Sequence, residues 1–200
     1  MTSTGEEKAW EILKSADPSL ICANASVTFD ANLGVYTLRS FCADFFIRPE
    51  KKTIKTTDPL SQIFVERYGY LFKHSCLWYL IRAKDIPLTG KLVKPVNIKG
   101  GDMFFRGSHV VPLDTLSKKY GSDKKAFMEK GKELCAEVLG FGDASLKLLP
   151  MPRIPVTLIL WFADEEFPAR TDLLLDGSCE IQLPIDIIWS IAMISVLVML

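Results

Sequence analysis

Two short stretches of this chain bring together side chains able to do chemistry. In Phe104-Phe105-Arg106-Gly107-Ser108-His109 a guanidinium, a hydroxyl and an imidazole fall within four residues. Such a group can bind an anion or move a proton, with Arg106 holding negative charge, Ser108 hydrogen-bonding and His109 titrating near neutrality. The candidate catalytic residues are therefore His109 and Arg106, and His109 is one of only two histidines. The plainer reading is a loop whose Phe104 and Phe105 anchor it in the core while Arg106 pairs with a carboxylate.

The second stretch is Trp161-Phe162-Ala163-Asp164-Glu165-Glu166-Phe167-Pro168, followed by Asp172 and Asp176. Oxygen-rich clusters suit Mg²⁺ or Ca²⁺, with Asp164, Glu166 and Asp176 as candidate metal ligands. Paired carboxylates can also act as acid and base, so Asp164, Glu165 and Glu166 join Arg106, Ser108 and His109 as candidate ligand-binding residues. Successive residues of an extended chain point to opposite faces, so at most two of the three consecutive carboxylates converge, and a solvated hairpin turn needs no more than this. If the two stretches meet, they make an enzyme acting on a small anionic substrate, with a divalent metal as an optional helper.

Other sequence features carry less. Gly140-Phe141-Gly142-Asp143 follows a helical pattern, whereas phosphate loops lead from a strand into a helix, so a helix stop is expected there. Leu88-Thr89-Gly90-Lys91 lacks the frame of a nucleotide-hydrolysing loop. His74 and Cys76, two apart on a helix, face away from each other and cannot share a metal. The five cysteines, Cys22, Cys42, Cys76, Cys135 and Cys179, contain no C-x-x-C pair. That leaves no iron–sulfur motif and no specific cofactor, and it points to reduced thiols serving as small core residues in a cytoplasmic protein. The acidic start, Glu6-Glu7 before Lys8, has no apolar run of the signal-peptide kind.

The elements that must position these groups follow from the hydropathy pattern. Thr4-Gly5-Glu6-Glu7 fits a capping box opening a helix to about Ala16. Short apolar runs from Ser26 to Thr56, parted by Asp30, Asn32-Leu33-Gly34 and Ala43-Asp44, predict an antiparallel meander. Asp58-Pro59 starts a long helix to about Arg82, with Leu60, Phe64, Tyr68, Leu71, Ser75 and Trp78 as its stripe. A short strand is expected near Leu92-Val93 and a helix over Pro112 to Tyr120. Ser122 caps another helix, in which Phe127, Leu134, Cys135 and Val138 share a face. Leu146 to Leu149, Pro155 to Phe162 and Thr171 to Leu175 are strands. The order is that of an α+β fold in a single domain over residues 1–200, with antiparallel β segments packed on a long central helix and an apolar C-terminal helix.

Of the 200 residues 48% are apolar and 24% charged, with 24 basic and 24 acidic side chains in balance. A neutral chain of this kind is no nucleic-acid binder and is apolar enough to bury a sizeable core. Its anomaly is the end, IIWSIAMISVLVML from Ile187 to Leu200, with two serines and no charge. That is too short to cross a hydrocarbon core, which takes about 20 residues, so a membrane span is not expected. A core helix starting near Pro184 is the first reading, and a surface for a protein partner or a homodimer is the second.

The run Leu148 to Pro184 (LLPMPRIPVTLILWFADEEFPARTDLLLDGSCEIQLP) resembles the end of the uncharacterised family numbered 3786 among the domains of unknown function. Pro87 to Val93, the Gly100-Gly101 turn, Phe104 to His109 and Gly142-Asp143 resemble its middle, and Trp10 with Asp17-Pro18 its start. The resemblance implies a fold unit found in anaerobic bacteria and archaea, but no catalytic or binding residues. Some members carry an added N-terminal four-cysteine segment similar to iron–sulfur proteins, whereas the first cysteine here is Cys22. The expectation that results is an accessory or binding protein of redox or corrinoid-type metabolism, holding a small molecule, a cofactor or a protein partner.

Overall fold

The computed structural model of the chain describes residues 4–200. Helix α1 (Thr4–Ser15) buries Ala9, Trp10 and Leu13, and Glu6 accepts a hydrogen bond from the Trp10 indole at 3.2 Å. The expected cap on the Thr4 side chain lies outside the described residues. The Glu7 carboxylate pairs with Lys52 instead of reaching back to its own helix. Asp17 ends one helix and opens the next, because its side chain accepts from the Ser19 N–H at 2.9 Å to cap α2 (Pro18–Ala25).

The expected meander is present as β1 (Thr28–Asp30), β2 (Val35–Ser40), β3 (Ala43–Arg48) and β4 (Thr53–Thr56), paired antiparallel in that order. Alternation makes the sheet one-sided: Ala43, Phe45 and Ile47 are buried while Asp44 is exposed. Ala43-Asp44, expected as a turn, begins β3; the turn is one step earlier, at Phe41-Cys42, where Phe41 takes φ 50°.

The long helix expected from Asp58 to Arg82 is broken. Asp58 caps a single 3-10 turn over Pro59–Ser61, followed by α3 (Gln62–Glu66), and α4 (Gly69–Arg82) starts afresh. The break falls at Tyr68, outside helical backbone at φ -101° and ψ 15°, just before Gly69, a poor helix former. Leu60, placed on the stripe by its spacing, is 85% exposed. From Gly69 onward the helix is as expected but its buried face is not: of the expected stripe only Ser75 is buried, Leu71 and Trp78 are half-buried, and Phe72, Cys76, Leu77, Tyr79 and Leu80 face the core.

After β5 (Leu92–Val93) and a 3-10 turn over Pro95–Asn97 come α5 (Gly101–Phe104), a 3-10 turn over Gly107–His109, α6 (Leu113–Tyr120) and α7 (Lys124–Glu133). Asp123, rather than Ser122, caps α7 through the Ala126 N–H at 2.9 Å. The helix stops earlier than its apolar pattern suggests. The Ala136 N–H returns to the Gly131 carbonyl at 2.9 Å and Cys135 adopts φ 52°, a left-handed close normally given to glycine. Val138 therefore leaves the helical face and lies 62% exposed on β6 (Glu137–Leu139).

The second sheet is completed by β7 (Ala144–Met151), β8 (Ile154–Trp161) and β9 (Arg170–Asp176), in the order β5-β9-β8-β7-β6, all antiparallel. Central β8 is buried at every position from Ile154 to Leu160, so both faces of the sheet's middle are covered. Helices α6 and α7 pack on it, as does β2 of the meander. The sheets are joined where the Ser40 hydroxyl donates to the Pro150 carbonyl at 2.7 Å and the Phe41 N–H to the Leu149 carbonyl at 2.8 Å. Gly131 of α7 approaches so closely that a Cβ there would stand 2.5 and 2.7 Å from the two Leu146 methyls. Gly131→Ala gains about 1 kcal/mol of helix propensity and meets about 1–3 kcal/mol of overpacking, so a net loss in a urea melt is expected.

Short α8 (Cys179–Gln182) leads to α9 (Ile185–Leu197), which opens after Pro184 as expected. Ile187, Ile188, Ile191, Ala192, Ile194 and Val196 are all at most 1% exposed, and the helix packs on α4, α5 and β7. The apolar end is thus covered within the chain, which removes the reason for assigning it to a homodimer or other partner. Among the described residues no helix is long and apolar enough to cross a membrane.

Candidate functional site

The Arg106–His109 stretch lies between α5 and α6, and aromatic packing holds it. His109 sits 4.6 Å from the Phe104 ring and 5.1 Å from that of Trp189, whose indole N–H donates to the His109 carbonyl at 2.7 Å. Phe105 packs on the core, as the anchoring reading expects, whereas Phe104 lies against His109 and Trp189. Arg106 and Ser108 are exposed, and among the described residues Arg106 meets no carboxylate.

The carboxylates do something else. Asp164 closes the β8–β9 turn by accepting from the Glu166 and Phe167 N–H groups at 2.9 and 2.7 Å, and these bonds hold its pKa below the ordinary value. Glu165 and Glu166 are exposed on that turn. Asp176 ends β9, so about 20 Å of strand separates it from the turn. Asp164 and Glu166 are therefore not brought to Asp176. Among the described residues no group of three or more His, Cys, Asp or Glu side chains is placed to hold a metal ion. Nor does any hydrogen bond, ion pair or ring contact among them join Arg106, Ser108 or His109 to Asp164, Glu165 or Glu166.

Gly140–Asp143 is also structural, but as the β6–β7 hairpin turn and not a helix stop. Gly142 takes φ 56° and passes so near β8 that a Cβ would lie 2.7 Å from Ile159 and 2.9 Å from the Leu160 carbonyl. Asp143 accepts from the Phe162 N–H at 2.7 Å and ties the two hairpin turns together.

The cysteines depart from expectation. Cys42 and Cys135 form a disulfide, with Cα atoms 5.3 Å apart across 93 residues of sequence. The count of reduced thiols was thus too high, and the cysteines no longer argue for a reducing compartment. No spacing signal could have paired residues so far apart. Cys22, Cys76 and Cys179 are free. Burial pushes the Cys179 thiol up to about 12 and that of Cys76 well above its usual value, so neither supplies a ready thiolate.

Cys42 lines a cleft of about 580 Å³, which no sequence motif marked. Five segments build it: the β2–β3 turn, the broken stretch from Asp58 to Tyr68, α7, Leu134 after it, and the end of α9. Its floor is apolar. Phe41 and Phe64 stack at 5.0 Å, beside Leu134, Leu197 and Val198. The Tyr68 hydroxyl donates to the Leu197 carbonyl at 3.0 Å and closes one side.

Charge sits around the floor unevenly. Asp58 is engaged as a cap, accepting from the Leu60 N–H at 3.3 Å and from the Ser61 hydroxyl. Glu133 is held by Lys130 at 3.0 Å. Arg67 is exposed and lies with its guanidinium 5.6 Å from the Tyr68 ring centre. Among the described residues it has no carboxylate partner, so its forked donors remain open to an incoming anion. The helix break at Tyr68, a misfit to the periodic pattern, is what brings Arg67 to the cleft. The size falls in the range of small-molecule sites, about 300–1,000 Å³.

The sequence model of one protein family, a domain of unknown function (DUF3786), matches residues 17–197. No curated protein and no solved structure matches the chain.

Proposed function

Starting from the chain's membership of the DUF3786 family, we propose that it is a binding protein whose ligand is a small amphipathic anion held in the cleft above Phe41 and Phe64. One observation carries this reading: an apolar floor beside Arg67, a lining cation that among the described residues has no carboxylate partner, whereas the other, Lys130, is paired with Glu133. The apolar part of the ligand would replace water on the floor, and its carboxylate, sulfonate or phosphate would take the guanidinium fork. The accessory setting implied by the resemblance, redox or corrinoid-type metabolism in the cytoplasm of an anaerobe, goes with the proposal. A gene neighbourhood without redox or corrinoid functions would remove that setting and leave the binding reading intact.

The test is titration with 8-anilinonaphthalene-1-sulfonate, which joins apolar rings to a sulfonate. Wild type is expected to bind one dye molecule, and Arg67→Ala to bind about tenfold more weakly, as the loss of a charge-assisted hydrogen bond requires. Arg106→Ala, which removes the other exposed and unpaired arginine weighed above, is expected to bind like wild type. Equal weakening by both variants would mean unspecific attraction. Weakening by Arg106→Ala alone would move the site to the Arg106–His109 loop.

A further inference from the structure

The disulfide beside the cleft is placed unlike a buried structural cross-link. Cys135 is exposed and Cys42 half-buried, so a reductant reaches the bond directly. The two sulfurs link two walls of the cleft, the β2–β3 turn carrying Phe41 and the end of α7 leading into Leu134. The walls are secured differently. The turn stays fixed to the second sheet by the Ser40 and Phe41 hydrogen bonds to Pro150 and Leu149 whatever happens to the sulfurs. The end of α7 is held by the Leu134 and Ala136 N–H bonds to the Gly131 carbonyl at 3.0 and 2.9 Å, but it closes through Cys135 itself, at φ 52°, a backbone conformation that side-chain-bearing residues rarely adopt. The disulfide therefore adds to these bonds in holding a helix end whose closing residue sits in a backbone conformation it disfavours.

We propose that Cys42–Cys135 is a reversible redox pair that sets the affinity of the cleft, closed when oxidised and loosened when reduced. The proposal rests on the binding reading above and names its regulation. The reductant is a dithiol. One of its thiolates attacks the exposed Cys135 sulfur, the Cys42–Cys135 bond breaks, and its electron pair leaves on the Cys42 sulfur, which takes a proton. The second thiolate of the reductant then attacks its own sulfur in the mixed disulfide and expels Cys135 as a thiolate, which is protonated in turn. Two electrons and two protons have passed to the protein, and the dithiol has become a cyclic disulfide. The reverse exchange with an oxidised dithiol restores the bond. Reduction frees the last turn of α7, and the wall that carries Leu134 moves away from Phe41.

The experiment uses the full chain equilibrated with mixtures of reduced and oxidised dithiothreitol, then alkylated with a maleimide and weighed. The same samples are titrated with the anilinonaphthalene dye and followed by amide hydrogen exchange. The expected result is two alkylations beyond those of the oxidised chain, without denaturant. Dye affinity is expected to fall about fivefold or more on reduction, as a modest coupling between sites would give. Cys42→Ser/Cys135→Ser should bind the dye like the reduced protein in both conditions. If the two thiols appear only in denaturant, or if affinity for the dye is the same in both redox states, the switch is wrong. If no Arg67-dependent binding is seen in either state, the cleft reading fails on its own, and exchange decides the switch. Faster exchange of the Gly131–Leu134 amides in the reduced chain then upholds it, and unchanged exchange overturns it.

Discussion

Asp176→Ala is expected to lower the unfolding free energy by about 3 kcal/mol, one of the two largest single-residue effects in this chain. Asp176 is 4% exposed and accepts four hydrogen bonds: Thr89 N–H at 3.0 Å, Thr89 hydroxyl at 3.0 Å, Gly90 N–H at 2.8 Å and Ser178 N–H at 2.9 Å. It thereby fastens the loop before β5 to the end of β9, where Leu92 pairs with Asp176 itself. Alanine leaves the Ser178 N–H in a buried position with no acceptor, while the exposed Thr89 and Gly90 groups find water. That mixture places the estimate well below four times the cost of an orphaned donor.

The same carboxylate gives the fold a pH dependence of known sign. Burial alone would raise its pKa, but the hydrogen bonds from Ser178 and Thr89 outweigh burial and hold it at about 2, against an ordinary 3.8. A folded-state value below the unfolded one means that the unfolded chain binds the proton more readily. The contribution, about 2 kcal/mol, is complete above about pH 4 and is lost as pH falls towards 2. Urea melts at pH 7, 4 and 2.5 should show wild type losing this amount more than Asp176→Asn, whose stability has no such proton to bind. Equal pH profiles for the two proteins would show that Asp176 is not the group responsible.

Asp176 also illustrates what the sequence hides. An aspartate near three other carboxylates reads as a metal ligand, and nothing local reveals that its partners are Thr89 and Gly90, about 87 residues earlier. Where order is set by local rules, the reading largely succeeds: the meander between Ser26 and Thr56 is present, with only the turn expected at Ala43-Asp44 displaced to Phe41-Cys42, and the strands from Leu146 to Leu175 follow their apolar runs. Periodicity failed where a backbone break won. Tyr68 and Cys135 both lie on convincing helical stripes, yet one opens α4 and the other ends α7 in the left-handed region. Those two breaks position Arg67 and the disulfide, so the candidate cleft was illegible for the same reason that the helices were misjudged. Arg106, Ser108 and His109 were found easily because they are adjacent, but adjacency is no evidence of a pocket, and their aromatic neighbour Trp189 comes from α9.

Ile191→Asp in α9 is expected to abolish cooperative folding altogether. Ile191 is 0% exposed among Ile187, Ile188 and Ile194, on a helix that packs against α4. Losing a buried isoleucine costs about 2–5 kcal/mol, and a carboxylate placed there without a partner adds several more. The sum is comparable with the whole stability of an ordinary domain, about 5–15 kcal/mol. A helix that served instead as an interface would respond differently, because the charge would separate two copies and leave each folded. The milder Ile191→Ala separates the cases without depending on a protein that fails to fold. It should lower the unfolding free energy by about 2–5 kcal/mol in a urea melt and leave the sedimentation coefficient of the folded protein unchanged over a wide concentration range. A variant of wild-type stability whose sedimentation shifts from dimer to monomer would overturn the assignment of α9 to the core. It would also return the apolar end of the chain to the role of a contact surface.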